Sequence, residues 1–201
     1  ALRFAITTAR KNVGQDFAYR LKHRLNVIVY SGSDFQELRL GPHWAGGLYD
    51  GKIRLPLDGK QNIDVAVATL FHEYTHAVNH DLARGHCPRW LNEGLAEVQG
   101  RKIKQEPVRF LEKALMAKQI IPLEQLDYAF QVDDTRVVAL GYEQSYSVAS
   151  YLIERAKYSR IRKLLSELGK EVPFEIALRK TVNLSTTDLE SAWMAWASAD
   201  E

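Results

Sequence analysis

The apolar positions change period close to residue 60. Before it, Leu2 to Thr8 and Asn26 to Tyr30 are short runs rich in β-branched and aromatic residues, the signature of strands. Between them, Phe17, Leu21 and Leu25 fall four apart, which predicts a helix over Gly14 to Leu25. Leu48-Tyr49, Asp50-Gly51 and Lys52 to Leu55 read as a tight hairpin, because Asp-Gly supplies two residues that accept positive φ. After Pro56 the pattern is helical. Asp64 to His80 is one helix. Pro88 opens a second, running to about Lys104, since its fixed φ suits a first helical position where an N–H would be unpaired. Pro107 to Lys118, Gly141 to Lys157, Arg160 to Leu168, Pro173 to Lys180 and Ser185 to Ser198 follow, with Ser185 as the N-cap of the last.

These elements predict an α+β fold. A small N-terminal mixed sheet lobe carries the helix at 64–80, and a mainly helical C-terminal lobe follows, joined through Leu82 to Cys87. With 201 residues and no repeat or low-complexity linker, we expect a single domain over 1–201, its upper lobe 1–80 and its lower lobe 81–201.

Composition narrows the function classes. Lys and Arg number 27 against 25 Asp and Glu, so there is no basic excess of the kind a nucleic-acid partner asks for. No apolar run approaches the roughly 20 residues of a membrane span. Cys87 is the single cysteine, which excludes an internal disulfide. The chain opens at Ala1 without an initiator Met or a signal-peptide core, which fits a processed chain or a catalytic region of a longer one. The compartment and the oligomeric state are left open by these numbers.

The chemistry lies in His72-Glu73-Tyr74-Thr75-His76, an HExxH pattern on a predicted helix. Residues four apart share a helix face, so both imidazoles can reach one ion, while Glu73 stands beside them, placed to handle a water rather than to ligate. Zinc in a catalytic site takes three protein ligands and keeps a fourth position open. Downstream candidates for the third ligand are His80, Asp81, His86, Glu93 and Glu97. A metzincin histidine would fall at residue 82, which is Leu. His80 lies about two helical turns from His72, too far for a shared ion. Glu93, on a second helix beyond a short loop, can come opposite the imidazoles. Chance alone yields HExxH in about one chain in a hundred of this length, and leaves the Asn92-Glu93-Gly94 segment unexplained.

HExxH followed by Asn92-Glu93-Gly94 resembles the gluzincins, the superfamily of thermolysin and aminopeptidase N. Trp90-Leu91-Asn92-Glu93-Gly94-Leu95-Ala96 is closer to the aminopeptidase N version, and the compact length with the tail from Gly141 looks most like the bacterial peptidase MA-like domains. The likeness covers roughly Gly46 to Trp196. It implies a zinc peptidase with one Zn2+ in the cleft between the lobes, held by His72, His76 and Glu93, with Glu73 as catalytic base. The segment Gly141 to Leu152 is similar to one in which a tyrosine stabilises the tetrahedral intermediate; this places the role on Tyr142, with Tyr146 one turn on as the fallback. The resemblance also implies that Glu97 contacts the first histidine and that Asn92 orients the second.

The hairpin over Gly46 to Leu55 sits where the gluzincins keep an edge strand that pairs with extended substrate, so Gly47, Leu48 and Tyr49 are the expected substrate-binding residues. Aminopeptidases carry a glutamate there to grip a free amine. Here the nearby acid is Asp50, which the turn explains, so endopeptidase action on a peptide or protein substrate is the expectation. The alternatives are a catalytically silent zinc-binding scaffold of the same fold, or a zinc hydrolase of non-peptide substrates.

Overall fold

The segment expected to open the fold as a strand is instead a helix. In the computed structural model, which describes residues 2–37, 46–57 and 63–199, α1 spans Leu2–Asp16. Ala5, Ala9, Val13 and Phe17 recur every four residues and are buried. Small alanines carry this stripe, so the β-branched Ile6, Thr7 and Thr8 dominate a reading by propensity. The helix expected over Gly14 to Leu25 does not form: Gly14, Gln15 and Asp16 are the end of α1, and residues 17–26 lie outside any helix. The Tyr19 N–H donates to the Gly14 carbonyl at 2.9 Å, and Ala18 turns the chain with a φ of 45°.

β1 (Val27–Tyr30), α2 (Gly32–Glu37), β2 (Leu48–Tyr49) and β3 (Ile53–Pro56) follow. The sheet order is β1-β3-β2, with β1 parallel and β2 antiparallel to the central β3. The hairpin forms as expected, with a correction to its turn. Tyr49 pairs with Ile53, so three residues make the loop, and Gly51 takes the positive φ (91°) while Asp50 does not. Arg54 Nε donates to Asp50 Oδ2 at 2.9 Å and pins that loop.

The remainder is helical: α3 (Ile63–Ala83), α4 (Arg89–Arg101), α5 (Arg109–Met116), a 3-10 helix at Leu123–Phe130, α6 (Thr135–Leu168), α7 (Phe174–Val182) and α8 (Thr186–Ala197). The boundary expected after residue 80 falls inside α3. The two helices expected at 141–157 and 160–168 are the two arms of α6, which break at Lys157, where φ 63° and ψ 155° are not helical; the first arm begins earlier than expected, at Thr135. Pro88 stands one residue outside α4. It offers no side chain to cap the helix, and Asp127 does so from the 3-10 helix: its carboxylate accepts Trp90 N–H at 2.7 Å and Arg89 N–H at 3.1 Å. Ser185 caps α8 as expected, completing a capping box with Asp188.

Helix α4 packs against both α3 and α6. At Gly94 it lies tight against α6, where a Cβ would fall 2.2 Å from the Ser145 carbonyl oxygen. Asn79 Nδ2 donates to Asn92 Oδ1 at 3.0 Å, tying α3 to α4. The core around them includes Leu91, Leu95, Leu152, Ile161 and Leu164, and the buried Trp193 closes it by donating to Ser147 Oγ at 2.9 Å. A mostly helical chain with a small mixed sheet is the α+β class the sequence predicts. No helix among the described residues is long and apolar enough to cross a membrane.

Candidate metal centre

Three ligand atoms converge where α3 faces α4. Glu93 Oε2 lies 3.5 Å from His72 Nε2 and 3.4 Å from His76 Nε2. All three donors fall within 4.8 Å of one another. Two atoms each about 2.0–2.1 Å from a tetrahedral zinc stand about 3.3–3.4 Å apart, so these separations suit one shared ion. Glu93 Oε2 is buried and makes no hydrogen bond with the described residues. A buried carboxylate oxygen without a donor is costly unless a cation meets it. The N, N, O donor set is one zinc accepts, and these residues therefore fit such an ion.

Glu97, one turn beyond Glu93, meets the other nitrogen of the first imidazole: its Oε1 is 3.2 Å from His72 Nδ1. Its second oxygen accepts Arg101 Nε at 2.9 Å, and the Arg101 guanidinium lies 4.3 Å from the centre of the Tyr146 ring. With Nδ1 turned to Glu97, Nε2 is the ring nitrogen that faces Glu93. Asn92 turns to Asn79, and His76 Nδ1 is buried without a hydrogen-bond partner among the described residues.

The cluster is strongly coupled. Burial works to lower the pKa of His72, but Glu93 and Glu97 more than offset it and hold the imidazole well above its ordinary value. His76 is raised too: burial opposes, and Glu93 prevails. Glu93 is driven the other way, since both imidazoles overcome its burial and hold it far below the usual carboxylate range. Burial raises Glu73, only partly countered by His76 and His72.

A cleft of about 700 Å³ opens over this cluster. Glu73, His72, His76 and Glu93 line it, together with Gly47, Leu48 and Tyr49 from the hairpin and Tyr142 from α6. Gly47 lies directly against Glu73: a Cβ there would come 2.9 Å from Glu73 Oε1 and 2.6 Å from Thr69 Cγ2. Among the described residues β2 has β3 as its one partner strand, so its outer edge is unpaired. Burial, with Glu93, Glu97 and Glu73 adding to it, pushes the Tyr142 hydroxyl well above its ordinary pKa, so it keeps its proton at neutral pH. The Tyr142 ring packs edge-on against Phe130 at 5.0 Å.

Other candidates fall away from the cluster. His80 packs near the Tyr49 ring, His86 stands 4.0 Å from Glu171, and His23 stands 3.9 Å from Asp81. His43 and Trp44 lie outside the described residues. Cys87 lines the cleft as a protonated thiol, since burial, then Asp127 and Glu93, push it strongly up. Asp127, the cap of α4, escaped the sequence reading because it acts on backbone 37 and 38 residues away with no local signal.

Searches of the curated proteins and of the solved structures found no match. The sequence profile of the Peptidase MA superfamily matches residues 5–199, almost the full length, and the chain belongs to that superfamily.

Proposed function

We propose that this chain is a zinc-dependent peptidase that cleaves within peptide chains rather than from a free amino end. The observation that carries the reading is the convergence of His72 Nε2, His76 Nε2 and Glu93 Oε2 at the floor of a cleft that also holds Glu73 and Tyr142. Those three residues would hold the ion. Bound zinc supplies Lewis acidity, bringing the pKa of a water near 7 and polarising the scissile carbonyl.

The protein's own groups do the rest. An extended substrate adds to the edge of β2 that has no partner strand among the described residues, along Gly47, Leu48 and Tyr49, which fixes the scissile carbonyl over the cluster. Glu73 takes a proton from the attacking water and passes it to the leaving nitrogen. Its buried setting supports this, because a raised pKa brings a carboxylate closer to the pH at which it must both take and give a proton. The protonated Tyr142 hydroxyl donates to the carbonyl oxygen as negative charge develops there. Glu97 fixes the His72 ring. Asp50 is bound to Arg54, which leaves no acid on the hairpin to grip a substrate amine and favours endopeptidase over aminopeptidase action.

A fluorogenic peptide library tests this. Chelation should abolish cleavage and added zinc restore it. Zinc-replete Glu73→Gln should keep its metal and lose about 10²- to 10⁴-fold in rate. Full activity in that variant would remove Glu73 as the base.

A further inference from the structure

Arg89 is a cleft residue that the mechanism leaves unused. It opens α4, one turn before Glu93, and its Nε stands 4.0 Å from Glu93 Oε1. Its Nη1 donates to the Phe130 carbonyl at 3.1 Å, and the guanidinium carbon lies 5.1 Å from the centre of the Phe130 ring. The same ring packs against Tyr142. Gly141 permits this, because a Cβ there would fall 2.7 Å from Ala129 Cβ and 3.6 Å from the Phe130 ring. Arg89, Phe130 and Tyr142 therefore form one stack on one wall of the cleft.

The guanidinium is held but not used up. Its side chain is 41% exposed, and the remaining N–H groups of the fork have no partner among the described residues. The other basic groups lining the cleft are engaged: Arg101 by Glu97, and Lys104 by Glu106. A cation beside Glu93 also competes with any ion that carboxylate would hold, a penalty that an anionic substrate group would relieve. A planar fork of this kind matches a carboxylate with two parallel hydrogen bonds.

We propose that Arg89 is a specificity-determining residue that binds a carboxylate carried by the substrate residue next to the scissile bond. The inference rests on the peptidase reading above. Position sets the register: Arg89 reaches to within 4.0 Å of a ligand side chain, and one extended residue advances the chain by about 3.3–3.6 Å. The carboxylate is either an acidic side chain, as cleavage within a chain implies, or the substrate's own C-terminus, in which case cleavage would release the last residue instead.

Binding to the zinc-loaded Glu73→Gln chain tests the inference without turnover. Three N-acetyl dipeptides serve as probes: one ending in a leucine carboxylate, its leucine amide, and a glutamate amide. Calorimetry or ligand-observed NMR should show one or both carboxylate peptides bound about 10- to 100-fold more tightly than the leucine amide. Tighter leucine acid identifies the chain terminus as the source, and tighter glutamate amide identifies the side chain. In the background of Glu73→Gln, Arg89→Gln should bring the acid-to-amide ratio close to one, and Arg89→Lys should restore it in part. Equal affinity for all three peptides before Arg89 is changed, which needs no further variant to fold, would overturn the assignment. So would a preference that survives Arg89→Gln, because a purely structural Arg89 would weaken acid and amide alike. Hydrolysis by the zinc-loaded wild-type chain is scored separately. If it is absent while the carboxylate preference holds, the peptidase reading fails, and with it the scissile-bond register, while Arg89 is left as a carboxylate-binding group of the cleft.

Discussion

Glu97 Oε1 stands 3.2 Å from His72 Nδ1, and the other oxygen of the same carboxylate accepts Arg101 Nε at 2.9 Å. One side chain thus sets the orientation of a candidate ligand and is itself held in place by a half-buried arginine. His72 and Arg101 both hold the Glu97 carboxyl below its usual range against the effect of burial, so it is ionised at neutral pH. Glu97→Ala should weaken zinc binding by about 10- to 100-fold, read by competition with a chelator of known affinity. Unchanged affinity would mean that the imidazole needs no such support.

The hairpin and Glu73 meet at Gly47. Adding a methyl group there meets Thr69 Cγ2 at 2.6 Å and Glu73 Oε1 at 2.9 Å, so strand, side chains or both must move. Gly47→Ala should retain one zinc per chain and lose on the order of 10²-fold in kcat/KM, as displacement of a reacting group by about 1 Å does. A variant with full activity would remove Gly47 from the working geometry.

The pH response should differ in sign between the zinc-free and zinc-loaded chains. In the absence of metal, His72 and His76 have pKa values raised above the ordinary 6.5. A raised folded-state pKa stabilises below the unfolded value and loses that contribution as pH climbs through the folded value. The melting temperature of the zinc-free chain should therefore fall as pH rises above about 6.5. Ligation needs neutral imidazoles, so zinc binding should release protons and tighten over the same range. Melting curves and calorimetry in buffers of different ionisation enthalpy check both; zinc affinity independent of pH would contradict the coupling.

Packing of α4 on α6 depends on a missing side chain. A Cβ at residue 94 would come 2.2 Å from Ser145 O and 2.8 Å from Ser145 C, both backbone atoms that have little room to yield. Gly94→Ala should destabilise the fold by on the order of 3 kcal/mol in denaturant unfolding. A loss below about 1 kcal/mol would show that the helices separate easily.

What the sequence revealed follows from how local each signal is. His72 and His76 are four apart on one helix, and the hairpin residues carry their own turn chemistry, so both were legible. The superfamily was legible from the same HExxH segment with Asn92-Glu93-Gly94. Leu2 to Thr8 was misread because the α1 stripe is built on Ala5 and Ala9, whose small side chains give a weak hydrophobic signal. The end of α1 depends on a turn at Ala18 whose carbonyl also accepts Arg162 Nη1 at 2.7 Å, a partner 144 residues away. Asp127 as a cap and Phe130 as the plate between Arg89 and Tyr142 are likewise tertiary facts. They arise from a 3-10 helix that carries no clear periodicity of its own.

A zinc centre in this cleft requires a single ion at the point between α3 and α4. Anomalous diffraction at the zinc edge from crystals of the zinc-loaded chain measures this directly. We predict one peak, about 2.0–2.2 Å from His72 Nε2, His76 Nε2 and a Glu93 carboxylate oxygen. A peak bound elsewhere, or one that leaves Glu93 out of its ligand set, would contradict it.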